Sequence, residues 1–333
     1  MAKPNKETHS PWEIMTAKAY YETLLAAIPK AKKRIVIAVM LLLAEKNVER
    51  LLAVLQDAAS RGVAVTLLFD NGGTRSHFIY KLDEGASRSN VLKQTFAAVE
   101  ALAAEGATIY PFSKVRLNPY RGRCHVKIVI IDDHVYSFGG INFFDADFRN
   151  TDYMLHAHNP AVADELALLV THMGTEQPPF ADQELPVEQG AILFDGGEPN
   201  HSIVYERACE LTAHAKRVWY ISQMTPSGLL GELLGETEST CYFNRPEQML
   251  RPHAWGQVFD QQRYRIDNSY TRGTFLHAKY MLFELKSGRK AVLTGSNNFS
   301  YRGIGFGTQE IALYSTNTAL YAALQNFLKK NIS

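Results

Sequence analysis

The sequence predicts two similar α/β domains in tandem, and three observations carry that prediction. Apolar stretches of strand length alternate with segments of helical periodicity. Much of that order occurs twice along the chain. The 333 residues also exceed what one core ordinarily organises and suit two domains of common size.

The first elements read in order. The stretch "AKKRIVIAVMLLLAEKNVERLLAVLQDAASRGVAVTLLFDNGG" is strand, helix, strand. Val48, Leu51, Leu52, Leu55 and Ala58 recur at helical spacing, and Gly62 stands where a helix ends. A second helix around Leu92 to Ala104 leads to the strand "ATIYPF" and then to "RCHVKIVIID". Later, "IVYERACELTAHAKRVWYISQM" parallels "YYETLLAAIPKAKKRIVIAVML", each a helix, a basic turn and a strand. "RGTFLHAKYMLFE" likewise parallels "RGRCHVKIVIID". Residues 174–190, rich in Pro, Gln and Glu without periodicity, read as a linker between a domain over 1–173 and a domain over 191–333.

Composition bounds the function. With 46% hydrophobic and 21% charged residues the chain is built to fold. Lys and Arg number 35 against 34 Asp and Glu, so the basic excess of a dedicated nucleic-acid binder is missing. Cys124, Cys209 and Cys241 form no C-x-x-C pair and read as free thiols in a reducing compartment. The polar start "MAKPNKETHSPWEIM" lacks the apolar core of a secretory signal. The longest apolar run, Ile35 to Ala44, falls short of the ~20 residues a membrane span needs. The expectation is a cytoplasmic protein, with peripheral membrane contact open and no obligate protein partner evident.

Two short motifs carry the chemistry. His125, Lys127 and Asp132 spell H-x-K-x4-D, followed by "GGIN" with Asn142. His277 and Lys279 repeat H-x-K, with Glu284 at the acidic place, followed by "GSNN" with Ser296 and Asn298. One copy would carry little weight; two copies in equivalent places of two repeats carry much. On a strand the His and Lys of each motif would project from one face.

With these motifs in place, the chain resembles the phospholipase D superfamily with two HKD motifs. The resemblance covers nearly the whole length. The first half, through "RGVAVTLLFDNGGT", "CHVKIVIIDDHVYSFGGINFFD" and "RNTDYMLHAHNPAV", is most similar to the cardiolipin synthase branch. The second half, "TGSNNFSYRGIGFGTQEIAL", is similar to several phosphodiesterase branches. The resemblance implies two α/β sandwich domains related by a pseudo-two-fold, with one active site at their interface. It implies His125 as nucleophile and His277 as general acid, with Asp152 (in preference to Asp147) and Glu310 orienting the imidazoles. Departures are Glu284 for the motif aspartate and Gly140 where serine is frequent.

The chemistry follows from the residue types. A neutral imidazole attacks phosphorus and a protonated one protonates the leaving oxygen. Lys127 and Lys279, with Asn142, Ser296 and Asn298 as donors, would meet the phosphate oxygens. No metal or cofactor is expected, since the remaining histidines show no H-E-x-x-H or Cys/His ligand spacing. His156 and His158 read as structural, Cys124 as packing, and the "NGG" at 71–73 as a turn.

Two basic, aromatic stretches precede the motifs, Tyr110 to Lys127 and Cys241 to Lys279, and should rim the cleft. They suit anionic headgroups at a membrane or the phosphates and bases of a single strand. The leading expectation is a metal-independent phosphodiesterase or phosphatidyltransferase acting on phospholipid. Its alternatives are a nuclease of the same superfamily for single-stranded nucleic acid, and a binding module without catalysis, kept open by Glu284.

Overall fold

The computed structural model describes residues 10–75, 87–112, 122–249 and 251–333. The described residues form two compact units, one within 15–180 and one within 181–333, and residues 10–14 group with the latter.

The first sheet is built from β1 (Glu13–Thr16), β2 (Arg34–Val39), β3 (Ala64–Asp70), β4 (Thr108–Phe112), β5 (Ile128–Ile131), β6 (His134–Ser137) and β7 (Tyr153–His158). Its helices are α1 (Ala17–Ala27), α2 (Lys46–Ser60), α3 (Asn71–Arg75), α4 (Arg88–Ala104) and α5 (Pro160–Thr175). Strand order is β1-β7-β6-β5-β2-β3-β4. β5 is buried along its whole length, as a central strand covered on both faces should be. The predicted stripe Val48, Leu51, Leu52, Leu55, Ala58 is the buried face of α2. Each such large side chain stabilises by roughly 1.5–3 kcal/mol. Gly62, at φ +85°, takes the left-handed turn that ends this helix.

The second unit contains β8 (Gln183–Val187), β9 (Gly190–Asp195), α6 (Ile203–Ala213), β10 (Ala215–Ile221), α7 (Leu229–Glu236), β11 (Glu238–Tyr242) and α8 (Arg251–Tyr264). β12 (Tyr280–Leu285), β13 (Lys290–Gly295), α9 (Tyr301–Ile304), β14 (Glu310–Ser315) and α10 (Thr318–Asn331) complete it. Its strand order is β11-β10-β12-β13-β14-β9-β8. Reading this sheet backwards, β9-β14-β13-β12-β10-β11 matches β1-β7-β6-β5-β2-β3 place for place. The directions agree too. β2 and β3 are parallel, as are β10 and β11, while β2–β5 and β10–β12 are antiparallel. The duplication read from sequence is therefore a duplication of sheet topology, with β4 and β8 as unmatched edge strands.

Two expectations need correction. Each His-x-Lys pair precedes its strand instead of lying in it, because regular pairing begins at Ile128 and Tyr280. The stretch 174–190 is not a structureless linker. It holds the last two residues of α5 and the whole of β8, which pairs antiparallel with β9. Pro186 is tolerated there because β8 is an edge strand. The second basic, aromatic stretch, after Cys241, contains α8.

Candidate active site

The two motifs are built alike. In the first unit His125 is half-buried and Lys127 is buried, its Nζ donating to the His125 carbonyl at 2.7 Å. In the second, His277 and Lys279 are both buried, and Lys279 Nζ donates to the His277 carbonyl. The lysine thus folds back along its own histidine's backbone in both copies. The carbonyl of each lysine is tied to the next strand, by Ser137 Oγ at 2.8 Å and by the Gly295 amide at 3.2 Å.

The segment after each hairpin repeats the equivalence. Gly139 and Gly295 pass so close to the following strand that a Cβ would stand 1.8 Å from the Tyr153 carbonyl oxygen and 2.2 Å from that of Ile311. Only glycine fits there. One residue on, the Gly140 amide donates to Asp152 Oδ1 at 3.4 Å, and Ser296 Oγ donates to the Glu310 carboxylate. Asp152 and Glu310 are both buried and hold matching places at the start of β7 and β14.

The structure redistributes several sequence-predicted roles. Asp132 and Glu284 lie at the far ends of β5 and β12 from the His-x-Lys pairs, so neither sits with the catalytic candidates. Asp132 accepts from the amides of Lys32, Lys33 and Arg34 and caps the turn into β2. Glu284, longer by one methylene, reaches the Arg217 guanidinium at 4.0 Å. Asn142, expected as a substrate donor, has its carboxamide engaged within the protein: Nδ2 donates to Asp147 at 2.9 Å and Oδ1 accepts from the Leu41 amide at 3.3 Å. Asp147 is the organiser of that loop, also accepting from the Asn142 amide and from Asn150. Ser296, expected in the same role, donates to Glu310 and accepts from the Ile311 amide at 3.0 Å. Asn298 differs, because its buried Oδ1 has no hydrogen-bond partner in the protein.

Sequence reasoning missed Asp195. It ends β9 directly opposite Glu310 in the register, is 2% exposed, and has its carboxyl pushed up to about 7. Burial is the main cause, and Asp182 and Glu310 add to it against hydrogen bonds from Ser202 and the Gly197 amide. His134, His156 and His158 cluster at the Asp132 end of the first sheet, with His134 Nδ1 and His156 Nε2 3.1 Å apart. Burial first, then the other two rings, holds His134 below the ordinary histidine range. Among the described residues no group of three or more His, Cys, Asp or Glu is arranged to hold a metal ion. Cys124 is fully buried, consistent with packing. Of the first basic stretch, Lys114, Arg116, Tyr120 and Arg121 lie outside the described residues.

Residues 24–173 match the family described as "Cardiolipin synthase, PLD-like domain". Over that stretch the chain is similar to a phospholipase D-like domain. The stretch contains the first His-x-Lys pair, Asn142 and Asp152. Over 165 residues the chain is 27% identical to "Cardiolipin synthase B" of Salmonella typhi, covering 48% of this chain and 37% of that protein. Over 137 residues it is 30% identical to "Cardiolipin synthase" of Geobacillus kaustophilus, covering 40% of this chain and 24% of that protein. The matches thus span well under half the length of these relatives. Among solved structures, phosphatidylserine synthase of Haemophilus influenzae superposes with a TM-score of 0.71 at 11% identity. That superposition covers 99% of this chain and 88% of the other. Polyphosphate kinase of Porphyromonas gingivalis gives 0.63 at 14% identity, covering 96% of this chain and 46% of that one. At these identities the structural likeness speaks for the fold, two mixed seven-stranded sheets with helices.

Proposed function

We propose that the chain is a phospholipid phosphodiesterase or phosphatidyltransferase that works through His125 and His277 as one catalytic pair. The observation that carries this reading is the identical construction of the two His-x-Lys elements, each with its lysine bound to its own histidine's carbonyl. Each unit supplies one such imidazole, and displacement at a phosphodiester needs two groups, one to attack and one to protonate.

One ring nitrogen of His125 forms the bond to phosphorus while the ester P–O bond breaks, and His277 gives its proton to the leaving oxygen. The acceptor, water or an alcohol, then loses its proton to His277 and its oxygen displaces the histidine from phosphorus. Lys127 and Lys279 stabilise the charge on the phosphoryl oxygens, since a buried ammonium gains most where an anion meets it. Asn298 is the side chain among the expected donors that is not engaged by the protein. Asp152 and Glu310 hold the second nitrogen of each ring, so that attack and proton transfer use a defined tautomer.

Phospholipid as substrate class is supported by the cardiolipin synthase match over 24–173. It is supported also by α8, where Trp255, Val258 and Phe259 are 81%, 39% and 58% exposed at i, i+3, i+4 spacing. The exposed Arg263 and Arg265 follow on the same segment, a combination suited to anionic headgroups.

The test uses the whole chain with phosphatidylglycerol vesicles and, separately, a labelled single-stranded oligonucleotide. Release of glycerol or phosphatidic acid, or formation of cardiolipin, is the expected result. It should be lost by more than about 10³-fold in both His125→Ala and His277→Ala. Retention of about half the turnover in each single variant would show two independent sites and sink the paired mechanism. Cleavage of the oligonucleotide with no lipid product would move the chain to the nuclease reading.

A further inference from the structure

We infer that Asp70 and Asn244 are a matched pair of positioning residues that set the direction of His125 and His277. The inference deepens the proposed function and rests on it only for the catalytic consequence.

Neither residue belongs to a motif, and the two halves use different side chains, yet the placement is the same. β3 and β11 hold equivalent places in the two sheets. Asp70 is the last residue of β3, and Asn244 lies just beyond β11. Both are fully buried. Asp70 Oδ2 accepts from the amide of Cys124 at 2.9 Å, and Asn244 Oδ1 accepts from the amide of Leu276 at 2.8 Å. Cys124 and Leu276 are the residues immediately before His125 and His277. The clamp is wider than one bond in each case. Asp70 Oδ1 also takes Arg123 Nη1 at 3.0 Å and the Gly73 amide at 2.6 Å. Asn244 Nδ2 donates to the Leu276 carbonyl at 2.7 Å and to the Gln223 carbonyl at 3.2 Å.

The physical need is plain. Regular strand pairing starts only at Ile128 and Tyr280, so the strand ladder does not orient the histidine backbone. The buried side chain anchors the residue before the histidine, and the lysine Nζ anchors the histidine's own carbonyl. With its backbone held on both sides, each imidazole keeps only its two side-chain torsions to reach the reacting phosphorus. The chemistry of the two clamps also differs. Asp70 is an acceptor matched to the Arg123 cation, whereas Asn244 must accept from the amide and donate to the carbonyl of one residue, Leu276. A carboxylate at 244 would face two carbonyl oxygens.

The experiment follows the imidazole Cε1–H resonances of His125 and His277 by NMR in the full chain, alongside kcat and KM for bis(p-nitrophenyl) phosphate. In Asn244→Ala the His277 resonance should shift or split while His125 stays in place, and in Asp70→Asn the pattern should reverse. kcat should fall by about 10–100-fold with KM little changed, the signature of a displaced catalytic group. Asn317→Ala, which removes the cap of α10 in the same unit as Asn244, is the control for general destabilisation and should move neither resonance. If Asn244→Ala does not fold, Asn244→Asp keeps the volume and the acceptor while losing the donor, and the same shift is expected. An unmoved His277 resonance with unchanged kcat in a folded Asn244 variant would overturn the inference. A resonance shift in a protein that has no phosphodiesterase activity to lose would leave the positioning role standing and remove the proposed function instead.

Discussion

The carboxylate of Asp132 lies 2.7 Å from the amide nitrogen of Lys33, in the turn that enters β2. With the Lys32 and Arg34 amides it holds the strand that neighbours β5, at the end away from His125. The motif acid is therefore part of the scaffold. Asp132→Ala should lower unfolding free energy by about 1–3 kcal/mol while changing phosphodiester turnover little. Burial alone would raise the Asp132 pKa, but the amides of Lys33, Lys32 and Arg34 outweigh it and the net shift is downward. A depressed carboxylate stabilises above its unfolded pKa, near 4, and that contribution is lost as pH falls through the lower folded value. Urea melts of parent and variant should therefore converge in acid. A stability gap that persists or grows there would refute the capping role.

Glu284 tests the same position in the second unit. Its ion pair with Arg217 is long and partly exposed, with side-chain exposures of 32% and 42%. Such pairs contribute about 0–1 kcal/mol. Glu284→Asp is expected to shift stability by less than about 0.5 kcal/mol and to leave kcat intact. A large loss of turnover would place the acid back in the chemistry.

Asp195 gives a pH dependence of opposite sign. Its carboxyl is raised to about 7, chiefly by burial. An unfolded aspartate titrates near 4, so between about pH 4 and pH 7 the native state keeps a proton that the unfolded chain releases. Stability should fall across that window by up to about 1.4 kcal/mol per pH unit, then level off. Asp195→Asn removes this contribution. Urea unfolding at about pH 5 and about pH 8 should show a smaller difference in the variant than in the parent; an equal difference would contradict the assignment.

Ser296 stands between Glu310 and the Ile311 amide, and its loss strips partners from two buried groups. Ser296→Ala is expected to cost about 1–3 kcal/mol in stability. Because Glu310 is then less well held, kcat should fall more than KM rises. A rise in KM alone would instead mark Ser296 as a substrate donor.

Trp255, at 81% exposure, is a reporter for α8. Vesicles containing phosphatidylglycerol should blue-shift its emission, and the effect should weaken with added salt as screening shortens the reach of Arg263 and Arg265. Trp255→Ala combined with Phe259→Ala should reduce vesicle binding without altering turnover of a soluble phosphodiester. Unchanged binding would exclude this face from the lipid surface.

Where sequence and structure part company, the reason is range. The strand, helix, strand order of residues 34–70 was readable because apolar spacing is a local signal, and α2 buries the stripe that spacing marked. The His-x-Lys pairs were readable for the same reason. Asp70 was not, because it acts on a residue 54 positions away, and Asn244 acts across 32. Hydrogen bonds of that separation leave no periodic trace. β8 was hidden by Pro186 and its glutamate and glutamine neighbours, which an edge strand accepts and a central one would not. α8 carried no clear apolar stripe because Trp255 and Phe259 face outward.

What the chain by itself determined is the repeat of α/β elements, the two histidines and the two lysines, all written in contiguous residues whose side chains choose water or core by their own chemistry. What only tertiary structure decided is the use of each polar neighbour: Asp132 as a cap, Asn142 and Ser296 as internal ties, Asp70 and Asn244 as clamps. A buried polar group must find its partner wherever folding brings one, and that partner is set by the packing of strands distant along the chain.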